Sequence, residues 1–463
     1  MAKDLRTFLE ILEKEDQLYK IEKEVDPKTE MGTLVWEAAP DKAIFFEQFK
    51  GHPGWRGCGA VMATRDRLSM VLGVPGDQIL PHYSKLLSGD LIKPVEVSDG
   101  PVKEVIWKGD QVDMLKLPIW KACENDAGPY LTWAETISRD PDTGNYNAAI
   151  VRQQIKGKNK NGIYCIRGRH TWINYKKYEA MNKPMPVAIV LGHHPAFHLA
   201  GLYYGSYETS EYEIASTLMG EPLRLVPCET VDLLAPADAE VVLEGEIPPG
   251  IREMEGPFQE FTNYYAFPDK EPIVNIKAIT MRKDPIYEVD RVTGAEMHYV
   301  LGMMSYLYNT IKQTEGYIDL KDVHFFPQAD HFLVVVQFTP HYEGQAKNVL
   351  LTALSGNCLH VKIAIAVDED INIYEPGDVF WALANRTDPE RDIFIVPGTR
   401  NHPFDLKLPL DSEGTDRVRV GAKVGIDATK PPTSKPEQRR LFERARPTGW
   451  GKVSLKDFLK TGC

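Results

Sequence analysis

The 463-residue chain has only six cysteines, Cys58, Cys123, Cys165, Cys228, Cys358 and Cys463, far apart and without a C-x-x-C pair. That spacing excludes a disulfide scaffold and points to a reducing compartment. No apolar run approaches the ~18 residues of a membrane span. The opening Met-Ala-Lys-Asp-Leu-Arg puts charges where a secretion signal needs an apolar stretch, so a cytoplasmic protein without a membrane partner is expected. A basic excess is also missing: 54 Lys and Arg stand against 66 Asp and Glu, a net charge of −12. Nucleic-acid binding needs the opposite balance. No repeat or low-complexity segment occurs. No G-x-G-x-x-G follows a strand, and Gly157-Lys-Asn-Lys-Asn-Gly162 has Ile163 where a phosphate loop needs Lys. There is neither a G-x-S-x-G elbow nor an H-E-x-x-H helix. Asp368-Glu-Asp370 departs from a calcium loop at Ile373 and Val379. His193, His194 and His198 lack an acidic or thiol partner at metal-binding spacing. What remains is an ordinary globular composition, 43% hydrophobic and 26% charged, long enough for two or three domains at ~150 residues each.

Asp4 can cap a helix over residues 4–14, in which Leu5, Phe8, Leu9 and Leu12 form one apolar face. Mixed helical and short apolar segments up to about residue 110 suggest an α/β unit. Short β-branched segments then recur at Ala148–Ile155, Pro186–Gly192, Ala239–Glu246, Ile273–Met281 and Ile286–Val289, the pattern of a barrel or sandwich. His298 to about Thr314 reads as a linking helix, and alternating strands and helices follow. The expected fold is α/β (α+β): an N-terminal α/β domain over 1–110, a central β-barrel or sandwich domain over 111–297, a linking helix over 298–315 and a C-terminal α/β domain over 316–463.

Chemistry-bearing residues concentrate in Asn147-Ala-Ala-Ile-Val-Arg152-Gln-Gln, Arg167-Gly-Arg169-His170, Thr209-Ser-Glu211-Tyr and Glu255-Gly-Pro-Phe-Gln-Glu260-Phe-Thr-Asn. Five residues apart, Glu255 and Glu260 would face opposite sides of a regular strand, but Gly256-Pro257 breaks the strand and lets both reach one side. If Arg152 stands beside Glu255, that carboxylate stays ionised and disfavours ionisation of Glu260, which keeps a proton for donation. Asn147, His170 and Glu211 together offer an amide oxygen, an imidazole and a carboxylate, a set suited to Mn²⁺ or Mg²⁺ with a phosphate completing the shell. On one extended strand Asn147 and Arg152 would lie ~16 Å apart, about the length of a flavin mononucleotide.

These segments, with Leu117-Pro-Ile119, Asp126-Ala-Gly-Pro-Tyr130, Val242-Leu-Glu-Gly245, Trp381-Ala-Leu-Ala-Asn-Arg386 and Lys423-Val-Gly-Ile-Asp-Ala-Thr429, stand in the order seen in the UbiD-like decarboxylases. The chain resembles that family over nearly its whole length. The resemblance implies a split-barrel domain that binds prenylated FMN and a C-terminal oligomerisation domain, with reversible non-oxidative decarboxylation of an aromatic or heteroaromatic acid such as a hydroxybenzoate, furoate or pyrrole-carboxylate. It implies that Arg152, Glu255 and Glu260 are catalytic, Glu260 as proton donor to a covalent adduct between substrate and cofactor. Asn147, His170 and Glu211 would hold Mn²⁺ or Mg²⁺, with K⁺ nearby, and Asn147, Ile150, Arg152, Arg169, His170, Glu211 and Lys362 would bind the cofactor. Partners would be the acid, CO₂, a flavin prenyltransferase as cofactor supplier and further copies of the chain in a homodimer or hexamer. Gln259 and Asn263 stand where relatives usually have glycine, and Arg169 where Gln is common. With Phe261, His298, Arg400 and the neighbouring His402, Gln259 is a candidate for the substrate pocket. The alternatives are a redox protein using ordinary FMN, since split barrels also host flavin reductases, and a subunit of a multi-subunit aryl carboxylase.

Overall fold

The computed structural model describes residues 3–290, 296–356, 358–409 and 418–458. The first helix, Leu5–Lys14, starts where the sequence puts it. Asp4 Oδ1 accepts the Thr7 N–H at 2.9 Å and Thr7 Oγ1 accepts the Asp4 N–H at 3.0 Å, a reciprocal cap. Leu5, Phe8, Leu9 and Leu12 are buried, each worth about 1.5–3 kcal/mol of transfer free energy. Helices Met31–Ala38, Arg65–Leu72 and Ile79–Leu87 accompany a four-stranded sheet whose order is Leu18–Ile21, Ala43–Phe46, Arg56–Gly59 and Ile286–Val289. The fourth strand arrives from far along the chain and lies parallel to Arg56–Gly59.

The central unit is a ten-stranded sheet. Along its main path run Tyr130–Leu131, Gln153–Ile155, Lys160–Ile163, Asp269–Met281, Val241–Ile247, Met185–Leu191, Ala134–Arg139 and Tyr146–Ile150, while Val105–Lys108 and Arg252–Glu255 pair onto Asp269–Met281. The chain jumps between the two ends of this path twice, at residues 132–133 and 151–152, so the sheet closes on itself with a split between the ends. The single strand expected over Ala148–Ile155 is therefore two, Tyr146–Ile150 and Gln153–Ile155. The end-to-end estimate of ~16 Å for one extended strand does not apply, because the chain must turn from one edge of the barrel to the other at Val151 and Arg152. Val151 donates to the Ala134 carbonyl at 3.2 Å and Arg152 accepts from Tyr164 N–H at 3.3 Å, which seals the crossing.

Helix Met297–Glu315 links this barrel to the last unit. Val300, Leu301, Met304, Leu307 and Ile311 are buried along it, and Ser305 meets Ser84 of the N-terminal unit at 2.9 Å. Gly302 is required there: a Cβ would collide with the Leu202 carbonyl oxygen, so the absence of a side chain lets the helix press against the 202–204 segment. The last unit is a five-stranded sheet in the order Asp319–Phe325, Leu333–Thr339, Ile363–Val367, Arg419–Ala428 and Ile393–Asn401, with the three inner strands parallel and both edges antiparallel. Helices Gln345–Ser355 and Pro376–Arg386 flank it. Asp368 and Asp370, set aside as calcium ligands, are taken up by ion pairs with Arg439 and with Arg386.

Candidate active site

A cavity of about 300 Å³ opens between the split of the barrel and the C-terminal sheet. Arg152, on the crossing between strands, projects into its wall. Its Nε and Nη2 grip the Glu255 carboxylate at 3.1 and 2.7 Å, and Nη1 bonds Glu260. Strand Arg252–Glu255 ends at Glu255, and after the Gly256-Pro257 turn, strand Phe258–Gln259 delivers Glu260 to the same guanidinium. All three side chains are buried. The guanidinium stacks 4.1 Å from the Tyr164 ring and 5.0 Å from Phe258. Burial works against its charge, but Glu255 more than offsets this and raises its pKa. One cation faces two carboxylates, so one bound proton makes the cluster neutral. Arg152 and Glu260 line the cavity, whereas Glu255 stands behind them.

Asn147, His170 and Glu211 also line the cavity. His170 opens helix His170–Ala180 and Glu211 opens helix Glu211–Met219, so two helix N-termini, favourable to anions, carry these donors. His170 Nδ1 lies 3.7 Å from Glu211 Oε1, and Glu211 Oε2 accepts the Ala148 N–H at 3.0 Å. Asn147 uses its amide N–H₂ on Thr171 Oγ1 at 3.2 Å, which leaves its oxygen as the free end. Burial raises the Glu211 carboxyl, with His170 opposing. Among the described residues no three His, Cys, Asp or Glu side chains converge as a complete metal site; this set supplies an imidazole, a carboxylate and an amide. Arg169 lines the cavity beside it, 4.1 Å over the Tyr204 ring. Burial pushes its guanidinium down to about 10, and it has no carboxylate partner among the described residues.

Ile150 and Phe261 lie on the wall where the sequence reading puts them. Four other candidates do not. Gln259 turns away, donating from Nε2 to the Glu260 carbonyl at 2.6 Å while Cys123 Sγ approaches its Oε1 at 3.6 Å. Its bulk braces the backbone of the turn and adds nothing polar to the cavity. His298 is fully buried behind the wall, with Nε2 2.7 Å from Asp290 and Nδ1 3.1 Å from the Met62 carbonyl. Lys362 is drawn into an ion pair with Asp405 at 2.8 Å and is not among the lining residues. Arg400 donates to the Arg167 carbonyl at 2.6 Å and lines a neighbouring cavity of about 190 Å³, which shares Tyr164, Ile166 and Phe404 with the first. His198 is no metal ligand either: it is clamped between Glu135 and Glu288. Burial opposes its charge, but the two carboxylates raise it to about 10.

Several lining residues have no local signature in the sequence: Tyr164, Tyr204, Tyr299, His331, His360 and Phe404. They come from six stretches of chain, and only the fold brings them together.

Comparison with known proteins gives a consistent result over the whole chain. Models of the 3-octaprenyl-4-hydroxybenzoate carboxy-lyase match it in three parts: the N-terminal domain at residues 9–87, the Rift-related domain at 93–296 and the C-terminal domain at 299–428. The UbiD-class enzyme HmfF from Pelotomaculum thermopropionicum, solved in complex with FMN, is 34% identical with a TM-score of 0.87, covering 98% of this chain and 100% of that one. The vanillic acid decarboxylase of Sedimentibacter hydroxybenzoicus is 29% identical with a TM-score of 0.86, covering 99% of each chain. The 3,4-dihydroxybenzoic acid decarboxylase of Klebsiella pneumoniae is 25% identical with a TM-score of 0.84, covering 98% of each.

Proposed function

The chain belongs to the UbiD family of carboxy-lyases, and from that premise we propose that it decarboxylates, reversibly, an aromatic or heteroaromatic acid with prenylated FMN as cofactor. One observation carries the reading. Arg152 and Glu260 face a cavity whose wall also carries Asn147, His170, Glu211 and Arg169, which has no carboxylate partner among the described residues, so a carboxylate-handling group and a set suited to a metal-bridged phosphate share one space.

The residues fit the cofactor. A flavin phosphate is an anion, and Arg169 and two helix N-termini meet that requirement. The free oxygen of Asn147, the His170 imidazole and the Glu211 carboxylate supply three of the donors that Mn²⁺ or Mg²⁺ needs, with phosphate and water for the rest. Complexes of HmfF with FMN and, in an evolved dimeric form, with prFMN support this choice. When bound, the prenylated flavin supplies the electron sink that the sp² carbon lacks after loss of CO₂.

The chain's own residues supply position and a proton. Three of the five N–H donors of Arg152 are taken by Glu255 and Glu260, which leaves two to orient a substrate carboxylate. Glu255, gripping Arg152 from behind, fixes the guanidinium plane. Glu260 holds the cluster's proton at the cavity face and delivers it to the carbon that CO₂ leaves. Tyr164, Phe258 and Phe404 exclude water around the guanidinium. A flavin prenyltransferase would supply the cofactor in the cytoplasm. The chain would work as a homo-oligomer, supported by exposed Phe380 and Ile395 on the C-terminal unit.

Glu260→Gln keeps the size and removes the proton. Loaded by co-expression with a flavin prenyltransferase and screened on aryl and heteroaryl acids, the variant should retain cofactor and lose at least 100-fold in CO₂ release, within the range of one general acid. Full activity would overturn the assignment.

A further inference from the structure

Glu260 leaves a hairpin that is too small to hold itself in place. Strand Phe258–Gln259 pairs only with Tyr265–Ala266, two residues on each side, and the pair belongs to no larger sheet. A hairpin of that size is not stable alone, so the position of the proposed proton donor must be set from outside. Within the hairpin the Glu260 N–H donates to the Tyr264 carbonyl at 2.9 Å. Successive N–H groups of an antiparallel strand point to opposite sides, so the Gln259 N–H points away from the partner strand. Gln259 is buried, and a buried N–H needs an acceptor.

That acceptor is Asp126. Its Oδ1 takes the Gln259 N–H at 2.8 Å and its Oδ2 takes the Cys123 N–H at 2.9 Å. The Cys123 thiol in turn donates to Gln259 Oε1 at 3.6 Å, so the three residues close a ring of hydrogen bonds. From that ring Gln259 Nε2 reaches the Glu260 carbonyl at 2.6 Å. Two further contacts tie the same loop to the same turn: the Ala127 N–H donates to the Pro257 carbonyl at 2.9 Å, and the Tyr130 ring lies 4.5 Å from that of Phe258. Asp126 is 4% exposed. Burial raises its carboxyl, and the two N–H groups, Lys121 and Arg152 oppose this. A buried carboxylate is costly as a mere spacer. What it offers over an amide is an acceptor at both ends, where asparagine would turn its N–H₂ against one of the two N–H groups. Neither Asp126 nor Gln259 lines the cavity, so any effect on the chemistry runs through Glu260.

We propose that Asp126 is a positioning residue for the proton donor: by locking the Gln259 N–H it fixes where Glu260 stands against Arg152, and the Gln259 side chain stiffens the same joint. The inference deepens the proposed function and rests on it for the role of Glu260. Proton delivery to carbon needs the acid within hydrogen-bond reach in one orientation, and a displacement of about 1 Å costs on the order of 100-fold in rate. Loss of the clamp therefore strikes the chemical step and leaves substrate binding, which Arg152 and the cavity rings supply, largely in place.

Two measurements test it. The first needs no substrate: amide hydrogen exchange of the cofactor-free chain, read by mass spectrometry. In Asp126→Ala, residues 256–266 should exchange about tenfold faster or more, with strand Met185–Leu191 unchanged. Asp126→Asn, which keeps an acceptor for the Gln259 N–H, should stay close to wild type. The second uses holoenzyme loaded by co-expression with a flavin prenyltransferase and reads labelled CO₂ from carboxyl-labelled 2-furoate, pyrrole-2-carboxylate and 4-hydroxybenzoate. D126A should lower kcat about tenfold or more with KM within about threefold of wild type, and D126N should recover most of the loss. In the E260Q background D126A should change kcat by less than about threefold, since a residue that acts through Glu260 has nothing left to position. Asp126→Ser, too short to span both N–H groups, takes the place of D126A if that variant does not fold. Unchanged exchange over 256–266, an undiminished kcat, or the same proportional loss with and without Glu260 would overturn the inference and leave the decarboxylase reading standing. If the wild type turns over none of the three acids, that reading fails for them and exchange alone decides: faster exchange confined to 256–266 in D126A and relieved in D126N supports the clamp, and its absence overturns it.

Discussion

Removing the guanidinium of Arg152 should destabilise the protein in a way that depends on pH. In Arg152→Met the side-chain stem remains to pack on Tyr164 and Phe258, but Glu255, 1% exposed, and Glu260, 6% exposed, lose their shared cation. Breaking a buried pair by deleting one partner costs about 3–5 kcal/mol, since the remaining charge is desolvated without compensation. At about 2–4 °C per kcal/mol for a unit of this size, the melting midpoint should fall by on the order of 10 °C at pH 8. The sign with pH follows from linkage. Without the cation, burial favours the protonated carboxylates, so the native variant binds more protons than the unfolded chain, whose glutamates titrate near ~4.3. Its stability therefore rises as pH falls, and the deficit against wild type should shrink steadily between pH 8 and pH 5. Thermal melts of the cofactor-free protein by circular dichroism, over that range, measure both effects. The triple variant R152M/E255Q/E260Q, which buries no charge in the cluster, should recover at least half of the loss. A midpoint within 2 °C of wild type at pH 8, or a deficit of the same size at both ends of the range, would refute the account of the cluster as a buried, mutually dependent set.

Further outcomes follow from the same geometry. Burial pushes the Glu271 carboxyl up to about 7, with Arg167 only partly opposing, so its contribution to stability is complete below the unfolded value of about 4.5 and is lost as pH rises through about 7. Glu271→Gln should lack this slope, which amounts to about 3 kcal/mol at most; parallel melting curves for variant and wild type would contradict it. Mn²⁺ titrated into protein in the presence of FMN, followed by paramagnetic resonance of the free ion, should bind at least tenfold more weakly to His170→Ala and to Glu211→Gln, and unchanged affinity in both would remove these residues from the metal site.

The parts of this architecture that were legible in the sequence are those set by local patterning. The capped first helix, the alternating strands and the helix over Met297–Glu315 follow from apolar periods and end signals within a few residues. Glu255 and Glu260 could be paired because the break at Gly256-Pro257 lies between them in sequence. Pairings were not legible. Ile286–Val289 reads as a strand, but nothing in its four residues says that its partner is Arg56–Gly59. Tyr146–Ile150 and Gln153–Ile155 read as one strand because both halves are β-formers; the turn between them is imposed by barrel closure, a property of the whole sheet. The cavity wall on the side of the C-terminal unit was illegible for a similar reason. His331, His360 and His402 sit on separate connections of the C-terminal sheet, and only their convergence on Phe261 makes them a group. Lys362, expected at a phosphate, was lost to a neighbouring carboxylate, Asp405, a competition that spacing does not reveal.

The late strand of the N-terminal sheet also sets a timetable for synthesis. Arg56–Gly59 leaves the ribosome some 230 residues before Ile286–Val289, its parallel neighbour. At about 5–20 residues per second, its edge waits on the order of 10 to 50 s for the partner that covers it. During that interval the nascent sheet presents unpaired N–H and C=O groups to whatever strand is nearest. A chain interrupted anywhere before residue 289 therefore leaves the first unit permanently open along one edge, so the N-terminal unit, though first begun, is finished only after the central sheet, whose last strand ends at Met281.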